Sequence, residues 1–362
     1  MAATITATDT ELQKPVNVVF EQTFLRRAQQ LCPYFMGTAP GTLNKQAGTS
    51  TIKWRRIEQE TPSTTALTEL TGTAAYMQGR NADTPTFSDV TATVAKYGQF
   101  YIVNEEVDLF NPNRTSNELV AVLGESAGRS LNQLQRDIGE DNATKRYAAN
   151  VANEASVESI VTTGSLNRVI VELCKNSARP FTAMTTGSTN IGTAPILPSF
   201  WAICHPDVAS DVAGLTGFKS IESYAGQTAT VTGEFGYYSN AGYGCRFVQT
   251  PDASANANAG GSLSGQDLIS TSAVQVDTYT ILIYGQDAFG SVGLGERHSD
   301  GVYRAGDNTG GWEMIYHPKG SSGASDPFDE LSTVAWKAWH AGAVLNSDWS
   351  RALLVAASDL TN

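Results

Sequence analysis

Residues 124 to 128, Gly124-Glu125-Ser126-Ala127-Gly128, spell G-x-S-x-G behind a short apolar run. In α/β-hydrolases this pattern puts a serine nucleophile on the sharp turn between a strand and a helix. Two features of the sequence argue against that chemistry. Leu119, Leu123, Ala127, Leu131, Leu134 and Ile138 follow one another at spacings of four, four, four, three and four, a helical face that runs through both glycines without a break. The first histidine is His205, so no H-G-G-G-type oxyanion segment precedes the serine. Ser126 is therefore expected to be a helix residue. Gly124 and Gly128, each costing up to about 1 kcal/mol relative to alanine in a helix, are expected to admit a neighbouring backbone.

The remaining reactive residue types form no recognised constellation. His205, His298, His317 and His340 lack metal-ligand spacing, and Cys32, Cys174, Cys204 and Cys245 contain no C-x-x-C pair. Cys204 and His205 are neighbours on an expected strand, so they point to opposite faces. GSVGLG (290–295) departs from the dinucleotide fingerprint and reads as a turn-rich segment, while Glu105-Glu106 and Glu140-Asp141 read as solvated acidic pairs. The six tryptophans read as core anchors. No catalytic residue, cofactor or metal is expected.

The elements follow from periodicity. VVFEQTFLRRAQQL reads as an arm helix ending before Pro33, and TSTIKWRRIEQE (49–60) and DVTATVAKYGQFYIV (89–103) as strands. The polar, Thr/Ala/Gly-rich stretch between these strands is far longer than the usual connection of about 4 to 6 residues, and a partner is expected to supply its burial. Thr115-Ser-Asn-Glu118 fits a capping box that opens a long helix over about 115–147, with Lys145 and Arg146 suited to its C-terminal end. Such a helix is roughly 50 Å long. SLNRVIVELCKNSARP (165–180) reads as a second amphipathic helix stopped by Pro180, and SFWAICHPDVASDVAGL (199–215) as a buried strand passing through Pro206 into a helix. GCRFVQT and YTILIYG are strand-like runs separated by the low-complexity, exposed PDASANANAGGSLSG, and WEMIYHP, STVAWKAWHAGAVL and RALLVAAS complete an α+β chain.

The formal charge of −12 disfavours nucleic-acid recognition, which needs clustered Lys and Arg. The charge is uneven: residues 1–60 hold seven basic side chains (Lys14, Arg26, Arg27, Lys45, Lys53, Arg55, Arg56) against five acidic ones. A basic front end on an acidic body suits an arm that lies on a neighbouring copy. No apolar run approaches the roughly 20 residues of a membrane span, and the N-terminus has no basic start or apolar core of a secretory signal. The protein is expected to stay in the compartment where it is made.

PSTTALTEL, then FSDVTATVAKYGQFYIVNEEVDLF, the long helix, and near the end LSTVAWKAWHAGAVLNSDWSRALLV resemble the major capsid proteins of tailed bacteriophages with the Hong Kong 97-type fold, most closely the group typified by the podovirus N-four. The resemblance spans nearly the whole chain. It implies an N-terminal arm (1–48), an extended loop or β-hairpin (49–104), a peripheral domain (105–206) holding the spine helix at about 115–147, an axial domain (207–310), and C-terminal strands (311–362) returning to the peripheral domain. It further implies that copies form hexamers and pentamers of an icosahedral shell around packaged double-stranded DNA, without sequence-specific DNA contacts and without a membrane. Assembly would occur in the host bacterial cytoplasm with a separate scaffolding protein, a portal and a decoration protein. No lysine lies between Gln59 and Ala95, so the covalent Lys–Asn crosslinking of some relatives is not expected at the loop tip. The candidate inter-subunit contacts are Arg26, Arg27, Arg55, Arg56 and Arg80, with Glu58, Glu60 and Glu69 on the same or adjacent copies. Competing readings are a strand-rich adhesin-type or virion-decorating module, and a serine hydrolase acting through Ser126.

Overall fold

The computed structural model describes residues 33–43, 48–58, 60–64, 66, 85–110, 115–183, 196–223, 233–240, 242–263, 265, 267–294, 311–320 and 326–360. In chain order the strands and helices are β1 (Ala39–Leu43), β2 (Thr51–Ile57), β3 (Phe87–Thr93), β4 (Ala95–Asn104), α1 (Glu105–Phe110), the spine helix α2 (Thr115–Asn142) and β5 (Thr144–Tyr147). Then come α3 (Thr163–Lys175), β6 (Ser199–Cys204), α4 (Pro206–Ala213), β7 (Lys219–Ser220), β8 (Glu234–Asn240), β9 (Tyr243–Gln249) and β10 (Ala255–Asn256). The chain closes with β11 (Thr278–Tyr284), β12 (Phe289–Leu294), β13 (Gly311–His317), β14 (Leu331–Val344) and β15 (Ser350–Val355). The fold is α+β, built on two large sheets and a two-stranded hairpin.

The first sheet is organised by β14, which pairs antiparallel with β4 along one side and with β13 and β12 in tandem along the other, β1 lying parallel outside β12. From Leu331 to His340 burial along β14 alternates residue by residue, the mark of a strand with one face on a core, and the buried positions change parity at Ala341. Val334, Trp336 and Ala338 face Val120, Leu123, Ala127 and Leu131 of the spine helix, so the apolar period read from the sequence is the stripe that docks on this sheet. Gly98 allows β4 to close on β14, because a Cβ there would sit 2.6 Å from the Trp336 carbonyl oxygen.

The second sheet runs β5-β15-β11-β6-β9-β8-β7, with β10 beside β11. Its inner strands β6, β11 and β15 are buried at every position, which explains their unbroken apolar character: both faces are covered. Leu166, Val169, Ile170 and Leu173 of α3 and Val208 and Val212 of α4 pack on the Ile281 and Ile283 face, while Leu282 and Tyr284, with Trp201 beside them in β6, pack with Tyr34 and Phe289. Pro206 sits in the first turn of α4, capped by the His205 side chain. Glu172 ties α3 to β5 and β15 through Arg146 and Arg351; burial pushes its carboxyl up, but the two guanidinium groups outweigh this and hold it low.

Several expectations need correction. The spine helix ends at Asn142, not 147: Lys145 and Arg146 lie in β5, which pairs parallel with β15 some 200 residues on. The second amphipathic helix stops at Lys175, before Pro180, where Ser177 turns with φ 55°. GSVGLG contributes strand β12 instead of a turn, and its Gly290 meets the Trp54 indole closely. His205 is a helix cap, not a strand residue. The 251–265 segment is no exposed loop, since Asp252, Ala253, Gly260 and Gly261 are buried. Glu140 is buried as well, unlike its neighbour Asp141. The hairpin ends at Thr93, and β4 belongs to the first sheet. Boundaries at 206/207 and 310/311 both cut across sheets: α3 and β6 pack with the second sheet, β12 lies in the first, and of the C-terminal strands β13 and β14 join the first but β15 the second. Pairings between distant segments set this division, and they leave no local trace in composition. The arm helix and the side chains of Thr115 and Glu118 lie outside the described residues.

Candidate subunit interface

The hairpin β2–β3 carries the candidate contacts that the structure describes. Its register sets Arg55 opposite Asp89 and Trp54 opposite Val90. The alternation of β-branched and aromatic residues gives the hairpin two unlike faces. On the inner face Ile52, Trp54, Val90 and Ala92 pack on Leu43, Val292, Trp339, Ala341 and Ala343 of the first sheet. Arg56 belongs to this face. Its Nη1 donates to the Leu345 carbonyl at 3.0 Å, and its Nη2 to Glu58 Oε1 at 2.5 Å. Ser88 Oγ donates to the same Glu58 oxygen, and these bonds, Ser88's first and Arg56's second, lower the Glu58 carboxyl from its usual range.

The outer face points to solvent. Thr51, Lys53, Arg55 and Ile57 of β2 and Phe87, Asp89, Thr91 and Thr93 of β3 are all exposed. Arg55 donates to both Asp89 oxygens, at 2.9 and 3.4 Å, and Lys53 joins the same carboxylate. Arg55 and then Lys53 pull the Asp89 carboxyl down to about 2. The Arg55 guanidinium also lies 5.6 Å from the Phe87 ring centre. At the far end Ile57 is 66% and Phe87 51% exposed, and on β4 Phe100 and Ile102 are 62% and 57% exposed. The hairpin thus offers apolar side chains beside a cluster of two cations and one anion.

Of the sequence-derived contacts, the structure joins Arg56 with Glu58 inside one chain and gives Arg55 a different partner, Asp89, which sequence reasoning missed. The signal was present: once the strands are aligned, Asp89 is the residue directly across from Arg55. Glu60 is exposed. Arg26, Arg27, Glu69 and Arg80 lie outside the described residues. Ser126 stands within the spine helix, its Oγ donating to Gln99 Oε1 at 2.8 Å, so the strand–turn–helix geometry of a nucleophile elbow is absent at this serine. Burial pushes the Cys204 thiol up to about 12 and that of Cys245 up as well, which keeps both as unreactive thiols. Among the described residues there is no group of three or more His, Cys, Asp or Glu able to hold a metal ion, and no helix long and apolar enough to cross a membrane.

No family model matches the sequence, and no curated protein does. The fold, by contrast, has counterparts among solved structures. The capsid of Ralstonia phage GP4 aligns with a TM-score of 0.57 at 12% identity, over 92% of this chain and 93% of that one. The head structure of Helicobacter pylori bacteriophage KHP40 aligns at 0.54 and 12% identity, over 91% of each chain. The acidic stable capsid structure of Helicobacter pylori bacteriophage KHP30 aligns at 0.52 and 12% identity, over 90% of this chain and 91% of that one. Two sheets, a spine helix and an outlying hairpin, matched over nine-tenths of both chains, make this the fold of a phage capsid chain.

Proposed function

We propose that the protein is the major capsid protein of a tailed bacteriophage, of the Hong Kong 97 type, and that it assembles as hexamers and pentamers into an icosahedral shell around double-stranded DNA. The observation that carries this reading is the fold match over more than nine-tenths of phage capsid chains, joined to a hairpin whose outer face is exposed among the described residues. The quoted sequence stretches favour the N-four group within that type. On this reading the first sheet with the spine helix is the peripheral domain, the second sheet the axial domain, and β2–β3 the base of the extended loop. Arg56 and Glu58 anchor the hairpin to its own subunit, which leaves Arg55, with Lys53 and Asp89, to meet a neighbouring copy. Exposed pairs of this kind are worth only about 0 to 1 kcal/mol, but a closed shell repeats each of them at every equivalent interface.

An acidic protein suits a DNA container, because a lining that attracted phosphate would hinder packaging and release. The role is structural, and a separate scaffolding protein, a portal and a decoration protein are its expected partners in the host cytoplasm. Electron microscopy of the expressed protein, with and without a cognate scaffold, tests the reading: closed shells support it, and a monomer under both conditions contradicts it. The hydrolase alternative is tested in the same preparation, since ester hydrolysis that disappears in Ser126→Ala would require a catalytic serine.

A further inference from the structure

The spine helix has a second working face. Its apolar stripe docks on the first sheet, while Arg129, Asn132, Arg136 and Glu140, spaced three, four and four residues apart, form a polar stripe towards the second. Arg129 Nε donates to Asp252 Oδ1 at 3.0 Å, Asn132 Nδ2 to Asp252 Oδ2 at 3.2 Å, and Arg136 Nη1 to the Asp252 carbonyl at 2.6 Å. Asp252 lies between β9 and β10, so these bonds tie the spine helix to the second sheet. The turn at Pro33–Phe35 closes the seam from a third side: the Tyr34 amide donates to Asn132 Oδ1 at 3.2 Å, and Tyr34 Oη reaches Glu140 Oε1 at 3.5 Å. Ser254, from the same segment as Asp252, lies beside Glu140 and, with Arg136, pulls against the effect of burial on its carboxyl. Asn132, Tyr34, Asp252 and Glu140 are 0%, 2%, 3% and 9% exposed, so water solvates little of this network.

Glu140 is the one acidic group of the seam that no guanidinium among the described residues pairs with. Arg129 pairs with Asp252, and Arg136 is committed to the solvent-exposed Asp137 through Nε and Nη2 at 2.9 and 2.7 Å. An ionised Glu140 is therefore a second buried anion beside Asp252, and the guanidinium of Arg136 is held by the exposed Asp137 and the Asp252 carbonyl. The other titratable groups here, Tyr284 of β11 and Cys204 of β6 beside Tyr34, are pushed up by burial and stay neutral.

We propose that this seam is a proton-operated joint between the two sheets: Glu140 closes it as a neutral carboxyl, and loss of that proton to solvent favours release of the 250–256 segment from the spine helix. The joint is a property of the folded chain and stands apart from the capsid reading.

Burial, against the pull of Arg136, raises the Glu140 carboxyl from 4.5 to about 7. A carboxyl that is more basic in the closed state favours closure fully below its open-state value. That advantage shrinks as pH climbs from about 4.5 to about 7 and is level above. Across this window the opening equilibrium rises by at least about tenfold, one pKa unit being tenfold.

Hydrogen exchange read by mass spectrometry on the full chain, corrected for intrinsic rates, tests this at pH 5 and pH 8. Amides of 250–256 and 136–143 lose at least tenfold protection in the wild type, and Glu140→Gln, which keeps the shape and cannot ionise, removes that pH dependence. Equal protection at both pH values in the wild type, or the same loss in Glu140→Gln, overturns the proposal. A second measurement needs no variant: in protein carrying carboxyl-labelled glutamate, carbon-13 spectra show one glutamate titrating near pH 7. If every glutamate titrates at or below about 4.5, the ordinary carboxyl range, the joint does not exist.

Discussion

The inner strands of the second sheet and the hairpin β2–β3 are both β structure, yet they stand at opposite extremes. Each residue of β6, β11 and β15 is buried, whereas every second residue of β2 and β3 is exposed, with Ile57 and Phe87 among them. The sheet is finished within one chain: α3 and α4 cover one face, and Tyr34 and Phe289 help cover the other. Among the described residues, only the inner face of the hairpin is packed. On the proposed reading, large apolar side chains left at the hairpin's outer edge, next to a charged cluster, are the surface that a neighbouring copy buries. The difference separates what makes the subunit stable from what makes subunits associate.

The largest effect expected from this contrast is in the sheet. Ile281→Ala, at a fully buried side chain of β11, lowers unfolding free energy by about 2 to 5 kcal/mol, measured by urea denaturation of the free subunit. Next is the strand that links the regions: Gly98→Val forces a side chain towards the Trp336 carbonyl and costs about 1 to 3 kcal/mol in the same assay, while Gly98→Ala shows a smaller loss. The hairpin's outer face behaves differently. Ile57→Ser with Phe87→Ser changes subunit stability by no more than about 0.5 kcal/mol per site, yet lowers the yield of shells in electron micrographs. Should the double variant unfold the subunit instead, the two regions do not divide as described.

The smallest effect concerns charge. The Asp89 carboxyl, held at about 2 by Arg55 and Lys53, has a folded value below its ordinary 3.8. Its contribution is therefore present above 3.8 and lost as pH falls through about 2. Carbon-13 titration of the free subunit shows an aspartate still ionised at about pH 3 that regains an ordinary midpoint when Arg55→Gln and Lys53→Gln are combined. An Asp89 midpoint near 3.8 in the wild type removes the charged half of the proposed contact.

Much of this was legible from the sequence, for reasons that are local. Leu166, Val169, Ile170 and Leu173 carry a helical period and all four are buried in α3, and Pro206 marks the step from β6 into α4. Leu123, Ala127 and Leu131 made the spine helix visible, and Ser126 with it as a helix residue. What escaped depends on distant partners. Lys145 and Arg146 fit the end of a helix until β15 claims them as β5, and Gly290 and Gly293 look like turn residues until β1 and β14 flank them as strand. Glu140 beside Asp141 looks like a solvated pair, because nothing nearby in sequence reveals that Tyr34 and Ser254 will enclose it. Within the hairpin, Arg55 and Asp89 were readable as residues but not as a pair until the register was known.

The central claim, that a neighbouring copy covers the outer face of the hairpin, is tested most directly by hydroxyl-radical footprinting of Ile57 and Phe87 in free subunits and in assembled shells. The account predicts strong oxidation of both side chains in the free subunit and marked protection in the shell, with the buried Ile281 of β11 unlabelled in either state. Equal labelling of Ile57 and Phe87 in the two states would contradict it.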